Sequence, residues 1–310
     1  MGIKMSKIAF IFPGQGSQYV GMGKDFYESF PESREVYENA SKLLNLDMVK
    51  LCHEPNEEIN ITEFTQAAMI TTIGAMLAHI KTLGVVPDMC AGLSLGEYAA
   101  LVASEVLSLN DAISLVRKRG ILMQEAVPNG RGAMAAVLSL AEETVLDICN
   151  QTEGIVGIAN YNCPGQLVIS GEKEAVEKAS EDLLKAGAKR VLPLNVSGPF
   201  HSPLLKEAGD QLYEELKGIT VREPKIPYIA NTTASVVSRE EGIKELLAKQ
   251  VSSSVRWQQS IEQMITEGVD TFIEIGPGKT LSSFVKKIDK SKQVINIETV
   301  ADLEKLKSLL

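Results

Sequence analysis

Five residues, Gly92-Leu93-Ser94-Leu95-Gly96, form a G-x-S-x-G pattern between a short apolar stretch, Met89-Cys90-Ala91, and an alanine-rich segment, Glu97 to Ala103. Read as strand, sharp turn and helix, this is the setting of a nucleophile elbow. Glycines allow the tight turn and leave room around a serine hydroxyl that projects beyond the sheet. The N–H of Leu95, at the positive end of the helix, would point at the oxygen of an attacked carbonyl. The bland alternative is a plain helix cap at Ser94. A catalytic serine needs a base, usually histidine, and the chain has three. His79 lies among Met76-Leu77-Ala78 and reads as a packed or surface residue of an apolar helix, and His53 reads as a loop residue in Cys52-His53-Glu54-Pro55. His201 sits in Gly198-Pro199-Phe200-His201-Ser202-Pro203, where Ser202 could cap the next helix and Pro203 occupy its first turn. A junction of that kind holds an imidazole rigidly, which makes His201 the preferred base.

A helix predicted over about 111–124 carries Ala112, Leu115, Val116 and Met123 on one stripe at 100° per residue, with Arg119 in its middle and Arg117 opposite. An inward guanidinium needs an anion, because an unpaired buried charge is costly. The anion is either an internal Asp or Glu, or a carboxylate brought by a substrate and gripped through two parallel hydrogen bonds. Two glycine motifs mislead. Gly14-Gln15-Gly16 follows a strand, but Tyr19 stands where a dinucleotide fingerprint needs its third glycine. Gly278-Lys279-Thr280 ends like a P-loop, yet Ile273 occupies the place of its first glycine.

The elements that must position these residues alternate in type. Ile8 to Phe12 is a continuous apolar run of the buried parallel-strand kind. Helical patterns follow over about 23–44 and 66–83, then the elbow. From Ala133 the scale changes to strand 133–138, helix 141–151, strands 155–161 and 167–170, helix 172–186 and strand 188–194. This β-α-β-β-α-β order is that of a ferredoxin-like unit. Gly-rich and Pro-rich joints at Asn129-Gly130-Arg131-Gly132 and Ser197-Gly198-Pro199 bound it. We therefore expect an α/β fold with a discontinuous large domain, 1–130 and 198–310, of α/β-hydrolase-like kind with a parallel sheet, and an inserted small domain, 131–197. The large domain resumes with helix 204–216, strand 226–230, helices 241–250 and 260–267, strand 269–275 and a closing helix.

At 310 residues, 45% apolar and 23% charged, the chain is of ordinary globular composition. Its net charge of −9 gives no bulk attraction to nucleic acid or an acidic membrane. No apolar run reaches the ~20 residues of a membrane span, and no signal-peptide pattern is present. Met1-Gly2 with Ser6 formally matches an acylation pattern, but Met5-Ser6-Lys7 just before a core strand reads instead as a second start. Cys52, Cys90, Cys149 and Cys163 are too scattered for a disulfide framework or a zinc site. A cytoplasmic monomer without metal or cofactor is expected.

Taken together, Pro13-Gly14-Gln15-Gly16-Ser17-Gln18, Gly92-Leu93-Ser94-Leu95-Gly96-Glu97-Tyr98 and Gly198-Pro199-Phe200-His201-Ser202 make the chain resemble malonyl-CoA:acyl carrier protein transacylases. Further matches are Arg119 in Val116-Arg117-Lys118-Arg119-Gly120, Asn160-Tyr161-Asn162-Cys163-Pro164-Gly165-Gln166, Gln250 ahead of Val255-Arg256-Trp257, and Glu274-Ile275-Gly276-Pro277-Gly278. They fall in the family's order over nearly the whole chain. Leu93 departs from the histidine that many relatives carry there. The resemblance implies Ser94 as nucleophile and His201 as base, the imidazole oriented by a backbone carbonyl near Gln250. It implies an oxyanion hole from the N–H groups of Gln15 and Leu95, and Arg119 as the partner of the malonyl carboxylate. Gln250, Asn160, Asn162, Gln166 and Phe200 are expected around the substrate, with Phe200 crowding the carbon between the two carbonyls. The implied partners are malonyl-CoA and holo acyl carrier protein. A serine thioesterase or hydrolase would share the elbow and histidine, and a noncatalytic acyl- or nucleotide-binding module would rest on Gly14-Gln15-Gly16.

Overall fold

The computed structural model describes residues 7–128, 130–196 and 198–309. The acylation pattern at residues 1–6, and Asn129 and Ser197 of the two joints, lie outside them. Among the described residues ten strands run in chain order: β1 (Lys7–Phe12), β2 (Met89–Gly92), β3 (Gly132–Leu138), β4 (Val156–Cys163), β5 (Gln166–Glu172), β6 (Arg190–Pro193), β7 (Tyr228–Ile229), β8 (Val236–Val237), β9 (Val269–Ile275) and β10 (Gln293–Ile297). Six form one sheet in the order β10-β9-β1-β2-β7-β8. It is parallel except where β8 pairs antiparallel with β7.

The sequence of β1 explains its central place. Alternate side chains enter two different cores: Phe10 and Phe12 pack on one face of the sheet with helix Thr62–Thr82, while Ala9 and Ile11 pack on the other with helix Trp257–Thr266. A strand covered on both faces must be apolar where it is covered, as β2 and residues 8–12 of β1 are. The remaining four strands form an antiparallel sheet in the order β4-β5-β3-β6. Ala135, Val137, Ile158, Leu167 and Ile169 on one of its faces pack against helices Glu142–Gln151 and Lys173–Lys185. Met134, Ala136, Ala159 and Val168 instead join the main core. This second layer is tied to the first through Tyr161 N–H to Val255 O at 2.9 Å and Val255 N–H to Ala159 O at 2.8 Å.

Several elements differ from expectation. The helix expected over 23–44 is two, Lys24–Ser29 and Pro31–Leu44, because Pro31 excludes the residue before it from helix. His53 ends a short helix, Met48–His53, where a loop is expected. The helix expected from 260 begins at Trp257, and the strand expected over 226–230 is only Tyr228–Ile229. Helix Thr280–Ile288 does not close the chain: β10 adds an edge to the large sheet and a 3-10 stretch, Val300–Leu309, follows.

Candidate active site

Ser94 stands at the turn from β2 into helix Gly96–Ala103 with φ +52°, a left-handed conformation uncommon for a residue with a side chain. The two glycines make that turn possible by close approach. A Cβ on Gly92 would lie 1.9 Å from the carbonyl of Gly96, and one on Gly96 would lie 2.2 Å from Phe12 O. Asn231, just beyond β7, fastens the turn from behind: its Oδ1 accepts from Ser94 N–H at 2.7 Å and its Nδ2 donates to Gly92 O at 2.7 Å.

His201 meets this serine across 107 positions of sequence, with Nε2 at 2.7 Å from Ser94 Oγ. Its Nδ1 lies 2.8 Å from Gln250 O. A carbonyl can only accept, so Nδ1 carries the hydrogen and Nε2 keeps its lone pair toward the hydroxyl. Burial first, and the Arg119 charge second, push the imidazole pKa down to about 4, so the ring stays neutral at ordinary pH. His201 too is left-handed, at φ +59°. The capping expected of Ser202 is absent: its hydroxyl donates back to Pro199 O at 2.7 Å, while Pro203 opens a 3-10 turn, Pro203–Leu205, ahead of helix Lys206–Lys217. That bond braces the loop that carries the imidazole.

Arg119 lies on helix Leu109–Glu125 within the buried stripe of Ala112, Leu115, Val116 and Met123, and is 1% exposed. Arg117, on the opposite side, pairs with Glu63 at 2.5 Å. All the hydrogen-bond acceptors of Arg119 are neutral. Nη1 donates to Gln66 Oε1 at 2.8 Å, and Nη2 donates to Gln250 Oε1 at 2.9 Å and to Ser94 Oγ at 3.2 Å. Its plane also lies over the Tyr98 ring, 5.4 Å from the centroid. Among the described residues no carboxylate stands within ion-pair distance of it, so the internal Asp or Glu weighed as its partner is not there. Glu97 is the buried carboxyl behind the site. Its pKa is pushed up to about 8, chiefly by burial and against the pull of Gln250, Asn231 and Arg119.

The three groups border an open cavity of about 380 Å³ between the two sheets. Gln15 and Leu95 line it, and among the described residues no partner accepts from the N–H of either. Asn160 and Asn162 on β4, Gln166 on β5 and Phe200 line it as well, opposite the elbow. The buried Oδ1 of Asn162 has no partner among the described residues. Gln250, expected among these residues, is fully buried behind Arg119 and off the cavity wall; only its backbone and its amide reach the site. His79 stacks on Phe30 and bonds Glu32 at 2.7 Å, and His53 packs between Tyr27 and Tyr37, both away from the cavity. In the P-loop look-alike, Gly278 N–H is taken by Glu298 at 2.9 Å. Sequence reasoning missed Gln66, Asn231 and the role of Glu97. Asn231 could have been sought at the carboxyl end of its strand, where the sites of parallel sheets gather.

The arrangement, a strained serine, a neutral imidazole, free backbone donors and an uncompensated guanidinium, can carry out acyl transfer through a serine ester. A family model described as an acyl transferase domain matches residues 9–307. A malonyl CoA-acyl carrier protein transacylase of Bacillus subtilis is 47% identical over 304 residues, 97% of this chain and 96% of that protein. The crystal structure of a Clostridium perfringens protein of the same name shares 47% identity, covers 98% of this chain and 97% of its own, and gives a TM-score of 0.95. A malonyl-transacylase solved in complex with a type II PKS acyl-carrier protein superposes at a TM-score of 0.96 with 39% identity, covering 98% of this chain and 100% of its own. Since the family model spans the elbow, the histidine loop and both sheets alike, this chain belongs to the acyl transferase domain family.

Proposed function

We propose that this protein transfers the malonyl group of malonyl-CoA to the phosphopantetheine thiol of holo acyl carrier protein, through a malonyl ester on Ser94. The observation that carries the reading is the buried Arg119, held by neutral amides within 3.2 Å of the Ser94 hydroxyl. It attracts an acyl group that ends in a carboxylate. The names of the relatives support the same substrates.

In the first half, His201 Nε2 takes the proton of Ser94 as Oγ attacks the thioester carbon, and the oxyanion faces the N–H groups of Gln15 and Leu95. Each such donor contributes roughly 3 kcal/mol. The tetrahedral intermediate collapses with loss of the coenzyme A thiolate, which receives the proton from His201. In the second half the carrier's thiol passes its proton to His201, attacks the serine ester and restores Ser94. Kinetics are ping-pong. Arg119 holds the free carboxylate throughout, Asn160, Asn162 and Gln166 face the pantetheine side, and Phe200 crowds the central carbon against a methyl branch. Gln250 acts from behind, through its carbonyl on His201.

We read the antiparallel layer, 131–197, as an inserted ferredoxin-like domain, and 1–130 with 198–310 as an α/β-hydrolase-like catalytic domain. The strand order β4-β5-β3-β6 supports the first and the parallel sheet with its elbow supports the second. We take the protein to act as a cytoplasmic monomer. Among the described residues no helix is long and apolar enough to cross a membrane, and all four cysteines are free. The test is intact mass after incubation with malonyl-CoA, followed by holo carrier protein. A malonyl adduct absent from Ser94→Ala and discharged onto the carrier is expected; rapid loss to water indicates a hydrolase, and no adduct a binding module.

A further inference from the structure

Glu97 takes no part in the steps above, yet it is a fully buried carboxyl whose hydrogen-bond partners among the described residues are all donors. Oε2 accepts from Gln250 Nε2 at 2.5 Å, and both oxygens lie 3.4 Å from Asn231 N–H. Gln250 is the junction. Its Nε2 also donates to Ser94 O at 2.9 Å and approaches Asn231 Oδ1 at 3.3 Å, while its Oε1 accepts from Arg119 Nη2 at 2.9 Å. A guanidinium can only donate and a carbonyl can only accept, so the amide works one way round only. The shortest contact on its nitrogen side is Glu97.

We propose that Glu97 is a positioning residue: its carboxyl group fixes which end of the Gln250 amide faces Arg119, and so holds the guanidinium ready for a substrate carboxylate. This rests on the reading of Arg119 as the malonyl clamp. The polarity relay runs from Glu97 through one amide to Nη2, while Gln66 holds Nη1. Both tethers are neutral, which fixes the guanidinium in place without neutralising it. A direct Glu97–Arg119 pair would hold Arg119 equally well and leave it no net charge to offer. Replacing Glu97 by glutamine puts three N–H donors around a single acceptor oxygen. Gln250 then loses a dedicated acceptor at the shortest of its nitrogen-side contacts and is held in its present orientation by Ser94 O and Arg119 alone; whenever it turns, its NH₂ opposes Arg119. The His201 anchor is main chain at Gln250 O and does not depend on the amide.

The test compares two readouts in E97Q, Q250A and the double variant: acylation of Ser94 by malonyl-CoA, and its labelling by an uncharged fluorophosphonate. The fluorophosphonate needs the serine and histidine but no carboxylate clamp. E97Q should lower malonyl kcat/KM about 10- to 100-fold, the range of a hydrogen bond to a charged group, mainly through KM, with labelling changed less than about threefold. Because both residues act through one amide, the double variant should lose no more than about threefold beyond the worse single one. Equal losses in the two readouts, or losses that multiply in the double variant, overturn the proposal. If E97Q does not fold, E97M replaces it, and failure of both to melt cooperatively also overturns it, since Glu97 would then be structural. Wild-type protein that takes up no malonyl refutes the functional reading itself; wild-type uptake alongside an unaffected E97Q refutes only the role of Glu97.

Discussion

Replacing Arg119 by alanine separates charge recognition from acyl transfer. With a malonyl group in place, the substitution leaves a desolvated carboxylate without its cation. Losing one partner of a buried, hydrogen-bonded charge pair costs about 2–5 kcal/mol, or roughly 30- to several thousand-fold in kcat/KM. An acetyl group has no carboxylate. For it, the loss is the single 3.2 Å bond from Nη2 to Ser94 Oγ, about 1 kcal/mol or fivefold. The ratio of malonyl to acetyl transfer should therefore fall at least about sixfold. Arg119→Lys, which keeps the charge but not the planar fork, should fall between. The assay is kcat/KM for both thioesters with one carrier protein, alongside thermal melting. Melting is needed because the truncation orphans the amide oxygens of Gln66 and Gln250, about 1–3 kcal/mol of stability each. Equal losses for malonyl and acetyl, in protein that still melts cooperatively, would refute the clamp.

Asn231→Ala should behave in the opposite way. It frees the Ser94 N–H and Gly92 O that hold the elbow, so kcat for malonyl and acetyl should drop together, by about 5- to 100-fold; a malonyl-specific loss would reassign Asn231 to the clamp. The third prediction concerns pH. With the His201 pKa lowered to about 4, the neutral base is present above that value, and the acid limb of the acylation rate should lie near pH 4, well below the 6.5 of a free imidazole. The same shift withdraws stability as pH falls. Between 6.5 and about 4 the unfolded chain binds a proton that folded His201 refuses, up to about 3 kcal/mol over the interval. A pH–rate profile centred on 6.5 would show that neither burial nor Arg119 acts on the ring as described.

What the sequence discloses of this site is what local pattern can carry. The elbow is legible because a strand, two glycines and a helix stand next to one another, and the inward face of Arg119 is legible because helical periodicity alone decides it. The base is legible by elimination, since two of three histidines fall in places with other work to do. Gln66, Asn231 and Glu97 are not legible in this way. Each is polar in an apolar stretch, and its meaning depends on a partner 53, 137 or 153 positions distant. Gln250 shows the same limit from the other side: its position was expected at the site, but which of its atoms face the site depends on packing. β10 was missed because a five-residue edge strand buries only part of its side chains and has a weak apolar signature.

The proposed nucleophile and base share one further property, their backbone conformation. Ser94 and His201 both occupy the left-handed region, at φ +52° and +59°, at a cost of order 1–3 kcal/mol each. Such backbones persist only where surrounding bonds overdetermine them. Here Asn231 fastens the Ser94 N–H, and the turn after helix Ile243–Gln250 fastens His201 through Val251 O at 3.2 Å and Gln250 O at 2.8 Å. The distance from Oγ to Nε2 is thus set by two strained turns held from outside the cavity. The proton path is set by the protein's own contacts, so binding energy need not be used to assemble it and remains available for discriminating among acyl groups. On the reading proposed above, that discrimination falls to Arg119, the one buried cation bordering the cavity among the described residues, so removing its charge should change which thioester is used far more than whether Ser94 reacts at all.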